Sequence, residues 1–163
     1  MAQFQKSPAD DPLRLDRQVC FPLYAATNLI QRLYRPLLAP LGLTYSQYLV
    51  MLVLWEKEPF GVGEIGECLH IENGTLTPLL KRMEQAGLLI RERDRKDERR
   101  VVVGLTAHGR ALHRRALEVP QILAGRVPME LREIDEVRTI VQSLVHVLAD
   151  ALPAAGVTHD RLP

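Results

Sequence analysis

The chain has 163 residues, of which 47% are hydrophobic and 25% are charged, and its formal net charge is +1 at pH 7. This length holds one domain, alone or with appended helices, and the apolar content is enough for a real core. No apolar run approaches the roughly 20 residues that span a bilayer, and residues 1–12 lack the apolar core of a signal peptide, so a cytoplasmic protein without membrane contact is expected.

The spacing of cysteines and histidines gives no sign of a metal site. Cys20 and Cys68 lie far apart, and neither has a second cysteine at the spacing of a CxxC motif or a metal-ligand pair. The five histidines are scattered, without an HxxxH or HExxH pair. We therefore predict no metal and no cofactor, and each thiol has to be judged alone.

A polar arm and a long helix are predicted at the start of the chain. Residues 1–12 are polar, which favours a flexible arm. From Leu13 to Leu38 the apolar residues recur at helical spacing. Pro22 qualifies this helix, because proline removes a hydrogen bond inside a helix but costs little in its first turn. The helix therefore either begins beside Cys20 and Phe21 or kinks there.

The next segment reads as a helix-turn-helix. Thr44, with Gln47 three residues later, has the spacing of a capping box. The helix that follows is apolar nearly all round and should be buried. A short helix over residues 62–72, a turn at Asn73 and Gly74, and a longer helix that ends at Gly87 complete the motif.

The longer helix has the composition of a recognition helix, which enters the major groove of DNA. Asn73 or Thr75 is expected to cap it. Its inward stripe is Leu76, Leu79, Leu80 and Met83. Its outward side chains are Thr75, Thr77, Lys81 and Arg82. Short polar groups at a helix N-terminus, with cations one turn on, suit contacts to bases and phosphates, although a solvated helix face would show the same pattern.

Two strand-like runs follow, and the loop between them is highly charged. LLIRER and VVVGLT alternate or run apolar as strands do, and DRKDERR joins them. Between positions 81 and 115 there are eleven Lys and Arg against five Asp and Glu, a net charge of +6, which leaves −5 for the rest of the chain. Such a basic segment is the electrostatic footprint of a phosphate-backbone binder. Arg99 at the tip is placed to enter a minor groove, unless the hairpin is an ordinary ion-paired loop.

The last third is predicted to be helical. Thr106 caps one helix, which Pro120 breaks, and Pro128 begins another that carries a long apolar stripe. The stripes of the first and last helices are expected to pack together, within one chain or across a two-fold dimer. We thus predict a mainly α (α+β) fold, a winged helix-turn-helix over 44–106 with a two-stranded wing, and a helical dimerisation region over 13–43 and 107–152. Residues 153–163 are predicted to be a flexible tail.

The assembled pattern resembles the MarR family of winged-helix regulators. LDRQVCFPLYAATNLIQRLYRPLLAPLGLTYSQYLVMLVLWE, GTLTPLLKRMEQAGL and DERRVVVGLT closely resemble its organic hydroperoxide-sensing branch, OhrR. The likeness runs from about Leu15 to Leu117. It implies a homodimeric repressor, not an enzyme, that places a recognition helix and a wing of each subunit on a pseudo-palindromic double-stranded DNA operator.

The same resemblance implies a role for Cys20. In that branch the matching cysteine senses the peroxide, and two tyrosines that match Tyr24 and Tyr34, one from each subunit, contact it. Tyr24 lies four residues after Cys20 on the same helical face, and the dipole of a helix N-terminus favours a thiolate. The resemblance also places Asp97 and Arg99 in the wing, with the acid orienting the arginine.

The fate of the oxidised thiol follows from the remaining cysteine. Cys68 precedes the recognition helix and is most simply a core residue. We therefore expect the Cys20 sulfenic acid to be trapped by a small-molecule thiol as a mixed disulfide.

Three other functions fit parts of the sequence. A MarR-type repressor released by a small lipophilic or phenolic ligand, without cysteine oxidation, is the main alternative. A thiol peroxidase shares the chemistry of Cys20 but would need a resolving cysteine and a thioredoxin-like order of strands and helices. A structural coiled-coil protein would leave the charged hairpin without a purpose.

Overall fold

Helices dominate the computed structural model, which describes residues 11–152. The predicted tail and residues 1–10 of the predicted arm lie outside the described residues. The elements are α1 (Cys20–Leu38), α2 (Tyr45–Glu56), β1 (Phe60–Gly61), α3 (Val62–Leu69), α4 (Asn73–Gln85), β2 (Leu89–Arg93), β3 (Val101–Leu105), α5 (Ala107–Ala116), α6 (Glu118–Ala124) and α7 (Leu131–Ala151). The chain divides into two compact units, the first ending at Leu123 and the second beginning at Ala124. A mainly α fold with a small antiparallel sheet is confirmed.

Helix α1 begins at Cys20, which decides between the two alternatives left open by Pro22. A 3₁₀ turn, Leu15–Arg17, precedes it. Pro22 is the third residue of α1, in the first turn, where a backbone N–H would have no partner inside the helix. Pro36 lies within the last turn. After α1 the chain turns at Gly42, whose φ of 69° belongs to the left-handed region.

Helix α2 is the centre of the first unit. The predicted capping box is confirmed, since Gln47 N–H donates to Thr44 Oγ1 at 3.4 Å and Thr44 N–H donates to Gln47 Oε1 at 2.8 Å. Tyr48, Val50, Met51 and Leu54 of this helix are buried, as its apolar composition predicted. The core continues through α3, α4, both long strands and α5.

The predicted turn at Asn73 and Gly74 is wrong, because both residues are already helical. Helix α3 ends at Leu69, and His70 takes a left-handed φ of 50°. The N–H groups of Thr75 and Leu76 donate to the carbonyl oxygen of Glu72, which makes Glu72 the N-cap of α4 in place of Asn73 or Thr75. The predicted inward stripe of α4 is confirmed, because all four of its residues are buried.

The sheet has three strands in the order β1-β3-β2, all antiparallel. The hairpin of β2 and β3 matches the two strands predicted for the wing, and Leu89 pairs with Leu105 in its register. Strand β1 was missed, because two residues are too few to show an alternating pattern.

Of the helices after the sheet, the first begins where it was predicted and the later two do not. Thr106 does cap α5, since its Oγ1 accepts the Gly109 N–H at 3.0 Å. The break after α5 falls at Leu117 and not at Pro120, which lies in the first turn of α6, where proline is tolerated. Helix α7 begins at Leu131 and not at Pro128. Its N-cap is Glu130, whose backbone N–H donates to Glu133 Oε2 at 2.8 Å.

Two helices carry apolar side chains that their own unit leaves exposed. On α1 these are Phe21, Tyr24, Leu29 and Ile30. On α7, which has no buried residue, they are Leu131, Val137, Ile140, Val141, Val147 and Leu148. That these two stripes form a dimerisation region stays a prediction.

Within residues 11–152 no single helix is long and apolar enough to cross a membrane; the sole combination that reaches that length, α1 with α2, is bent by 69°.

Candidate nucleic-acid interface and thiol site

The outer face of α4 presents the side chains that the sequence singled out. Thr75, Thr77, Lys81 and Arg82 are all exposed, while the opposite face of the helix is buried. Among the described residues, neither Lys81 nor Arg82 forms an ion pair. Both cations are therefore available to an anionic partner.

The wing lies beside this face across a shared groove. Thr77 of α4 and Arg99 of the wing both line a concave space of about 590 Å³, together with Arg91 and Arg100. The structure thus brings one predicted residue of the helix and one of the wing to the same surface. Arg99 is exposed and forms no ion pair with any residue of 11–152.

Backbone and side-chain hydrogen bonds give the loop at the wing tip a definite shape. Asp94 N–H donates to the Arg100 carbonyl oxygen at 2.9 Å, and Arg100 N–H donates to the Asp97 carbonyl oxygen at 2.9 Å. The carboxylate of Asp97 accepts the backbone N–H of Arg99 at 3.1 Å. Asp97 therefore holds the main chain of Arg99, and that it also orients the Arg99 side chain, as the resemblance implies, stays a prediction.

Three arginines of the basic segment are paired with glutamates, which the sequence analysis missed. Arg91 pairs with Glu84 at 2.7 Å, Arg100 with Glu64 at 3.2 Å, and Arg110 with Glu58 at 2.6 Å. The positions in each pair are 7, 36 and 52 residues apart, so no local spacing rule would have found them. The positive charge available to an anionic partner is therefore carried by the unpaired cations of the helix and the wing tip.

The pKa values of two of these glutamates reflect their arginine partners. The hydrogen bond from the Arg91 guanidinium lowers the pKa of Glu84. For Glu58, partial burial raises the pKa, but hydrogen bonds from Arg110 and from the Leu105 N–H outweigh it, so the net shift is downward. Both carboxylates are charged at neutral pH.

The thiol of Cys20 is exposed at the first position of α1. Tyr24 lies one helical turn further and is 69% exposed, so both side chains are open to solvent or to a second chain. Cys68 on α3 is also exposed, which corrects its interpretation as a core residue. Ile65 and Leu69, rather than Cys68, turn the apolar side of α3 inward.

Tyr34 lies on the same helix as Cys20 but far from it. The two residues are 14 positions apart, which is about 21 Å along a helix axis at about 1.5 Å per residue. The Tyr34 ring instead packs against Tyr45 and Tyr48, with centroid distances of 5.1 and 5.6 Å. Burial, with smaller contributions from Tyr48 and Tyr45, raises the pKa of Tyr34 to about 12. One chain alone does not bring Tyr34 to Cys20.

Known transcriptional regulators resemble this chain over most of its length. The SarA/Rot family of transcriptional regulators matches residues 32–115. The HTH-type transcriptional regulator TtmR of Methylorubrum extorquens (strain PA1) is 47% identical over 91% of this chain and 75% of its own length. The organic hydroperoxide resistance transcriptional regulator of Bacillus subtilis (strain 168) is 40% identical over 85% of this chain and 94% of its own.

Solved structures agree with these relatives. Reduced AbfR bound to DNA has a TM-score of 0.75 at 35% identity and covers 89% of this chain and 99% of its own. AbfR with a disulfide formed has a TM-score of 0.59 at 35% identity, over 82% and 93% of the two chains. AbfR of Staphylococcus epidermidis has a TM-score of 0.71 at 34% identity, over 86% and 95% of the two chains. This chain therefore belongs to the MarR-like winged-helix transcriptional regulators of the SarA/Rot family.

Proposed function

We propose that this protein is a homodimeric DNA-binding repressor that leaves its operator when an organic hydroperoxide oxidises Cys20. The observation that carries the proposal is the exposed Cys20 thiol at the start of α1. The 40% identity with an organic hydroperoxide resistance regulator supports it.

The DNA contacts come from two elements of each subunit. Thr75 and Thr77 lie in the first half of α4, where short polar side chains reach base edges, and Lys81 and Arg82 follow with charges for the phosphates. Arg99, held through its backbone by Asp97, enters the adjacent minor groove. Two copies place their recognition helices in major grooves about 34 to 36 Å apart on a pseudo-palindromic operator.

A second copy is supported by the exposed apolar side chains. The stripes of α1 and α7 are uncovered within their own units, and contiguous apolar surface of that kind marks an interaction site. A dimer would also supply the contact between Tyr34 and Cys20 that one chain alone does not make. Tyr34 of one subunit meets Cys20 of the other, and its raised pKa keeps the phenol protonated as a hydrogen-bond donor to the thiolate.

Oxidation at Cys20 proceeds in two balanced steps. The thiolate attacks one oxygen of the hydroperoxide, the O–O bond breaks, sulfur is oxidised to the sulfenic acid, and the peroxide is reduced to the alcohol after protonation. A small-molecule thiol then attacks the sulfenic sulfur, forming a mixed disulfide and releasing water. The added group separates Cys20 from the tyrosines and biases the dimer toward a spacing that no longer fits DNA.

The test compares DNA binding by reduced and hydroperoxide-treated protein, with DNA from upstream of its own gene. The wild type is expected to lose DNA after treatment, while Cys20→Ser stays bound. Cys68→Ser is the matched control, because it removes the other exposed thiol, and it should respond like the wild type. Intact mass after treatment with added thiol should show one mixed disulfide; a Cys20 to Cys68 or Cys20 to Cys20 disulfide as main product contradicts the proposed trapping step.

If the wild type and Cys20→Ser both stay bound after peroxide, oxidation is not the signal. Release by a lipophilic or phenolic ligand then becomes the favoured function, and a ligand screen by DNA release tests it.

A further inference from the structure

The corner between α4 and β2 is held by backbone bonds that end the recognition helix abruptly. Gly87 takes a φ of 68°. Its N–H donates to the Glu84 carbonyl oxygen at 2.9 Å, and the Leu88 N–H donates to the Met83 carbonyl oxygen at 3.0 Å. This pair of bonds is the Schellman arrangement, which directs the chain from the helix straight into the first wing strand.

Side chains add a second connection across the same corner. The Nε and Nη2 groups of Arg91 donate to Glu84 Oε2 at 3.0 and 2.7 Å, and the Arg91 backbone N–H donates to Glu84 Oε1 at 3.0 Å. The side chains are 25% and 34% exposed, so solvent screens this ion pair less than the more exposed pairs on α7. Three bonds therefore fix β2 relative to the last turn of α4.

The location of the pair connects it with DNA recognition. Arg91 lines the same groove as Thr77 of the recognition helix and Arg99 of the wing. Its charge is already neutralised by Glu84, so it is poorly suited to neutralise a phosphate as well. Because β2 leads directly to the wing tip, the angle of β2 against α4 sets the distance between the helix contacts and the wing contacts.

We propose that Glu84 and Arg91 are positioning residues that set the spacing of the recognition helix and the wing, and so determine selectivity for operator over other DNA. This inference rests on the DNA-contacting roles proposed above for α4 and the wing. Neither residue need touch a base.

A purely electrostatic role and a positioning role predict opposite changes in operator affinity for Glu84→Gln. Glu84→Gln removes a negative charge from a DNA-facing surface and, by Coulomb attraction alone, should tighten binding to every duplex. A positioning role predicts that operator binding weakens while binding to unrelated DNA is unchanged or tighter. Arg91→Lys keeps the positive charge but loses the planar fork, so a charge role predicts no change and a positioning role predicts weaker operator binding.

Glu92→Gln is the matched control. Glu92 is the neighbouring residue of Arg91 on β2, is exposed, and forms no ion pair with any described residue, so its substitution makes the same charge change without touching the corner. Affinities are measured for a duplex selected by the wild type from a random pool and for a scrambled duplex, with thermal unfolding as the check on folding.

We expect Glu84→Gln and Arg91→Lys each to lower the ratio of operator to scrambled affinity roughly threefold to tenfold, about 0.7 to 1.4 kcal/mol, and Glu92→Gln to leave it unchanged. An unchanged ratio in Arg91→Lys, or operator binding by Glu84→Gln as tight as that of the wild type, overturns the proposal. If Glu84→Gln does not fold, Arg91→Lys decides alone. Failure of the proposed function is distinguishable, because then the wild type itself selects no duplex.

Discussion

Arg110 on α5 donates two hydrogen bonds to the carboxylate of Glu58, from Nε at 2.6 Å and from Nη2 at 2.9 Å. The same carboxylate accepts the backbone N–H of Leu105, at the end of β3, at 2.6 Å. Glu58 follows α2, so one charged group connects α2, the sheet and α5. These bonds need the carboxylate to be ionised, and they lower its pKa below the ordinary value of 4.5 despite partial burial.

Because the pKa of Glu58 is lowered, the free energy of unfolding should decrease as the pH becomes acidic. A carboxyl whose folded-state pKa is depressed stabilises the fold above its unfolded pKa, and that contribution is lost as the pH falls through the folded pKa. We expect the free energy of unfolding to fall below about pH 4.5 and Glu58→Gln to lose about 1 to 2 kcal/mol at neutral pH. Chemical denaturation at several pH values measures both, and Glu56→Gln, an exposed residue nearby, serves as the control. Identical pH profiles for wild type and Glu58→Gln would rule out this role.

Local patterns predicted the elements of the fold better than their connections. The Thr44–Gln47 capping box, the Thr106 cap and the buried stripe of α4 depend on residues three or four positions apart, and all three are present. The three glutamate–arginine pairs join elements that are distant in sequence, so they depend on the tertiary fold and no periodicity reveals them.

The predictions that were wrong for Asn73 and Cys68 also failed because the tertiary fold decides these positions. Asn73 is a good capping residue in isolation, yet the first hydrogen bonds of α4 are accepted by Glu72, one residue earlier. Cys68 shares a helix with buried Ile65, but the angle of α3 on the core leaves the thiol outside. At the candidate site, exposure of the α4 side chains followed from periodicity, whereas the shared groove of Thr77 and Arg99 required the folded wing.

Close packing at Gly109 predicts that alanine destabilises the protein there, whereas alanine at Gly63 stabilises it. A Cβ added at Gly109 would overlap the backbone oxygen of Leu88, and the Gly109 carbonyl oxygen also accepts the Trp55 Nε1–H at 3.0 Å. Gly109→Ala should therefore lower the free energy of unfolding by about 1 to 3 kcal/mol. Gly63, within α3, has open space at the same position, so Gly63→Ala should raise it by about 0.5 to 1 kcal/mol. Urea unfolding measures both, and equal effects of the two substitutions would contradict the packing at Gly109.

The raised pKa of Tyr34 predicts a loss of stability at alkaline pH. Because the folded-state pKa of Tyr34 is raised from 10.0 to about 12, its burial stabilises the fold fully below pH 10, and this contribution is lost as the pH rises toward 12. Tyr34→Phe cannot ionise and should make the alkaline limb of the stability profile shallower, leaving the part due to Tyr45 and Tyr48, whose pKa values burial also raises. Tyr24→Phe, at a residue that is 69% exposed, should leave that limb unchanged. An alkaline limb as steep in Tyr34→Phe as in the wild type would assign the loss to other groups.

Removal of Arg99 should weaken operator binding without a cost in stability. The side chain is exposed at the wing tip and has no ion-pair partner among residues 11–152, so Arg99→Ala deletes a charge and no core contact. If the guanidinium neutralises one phosphate equivalent, the slope of log affinity against log salt should become shallower by about 0.9. Arg32→Ala, which removes the same charge from α1, outside the basic segment, should leave the slope unchanged. Titrations at several salt concentrations measure the slope for each protein. Equal affinity of Arg99→Ala and the wild type at physiological salt would remove the wing tip from the DNA interface.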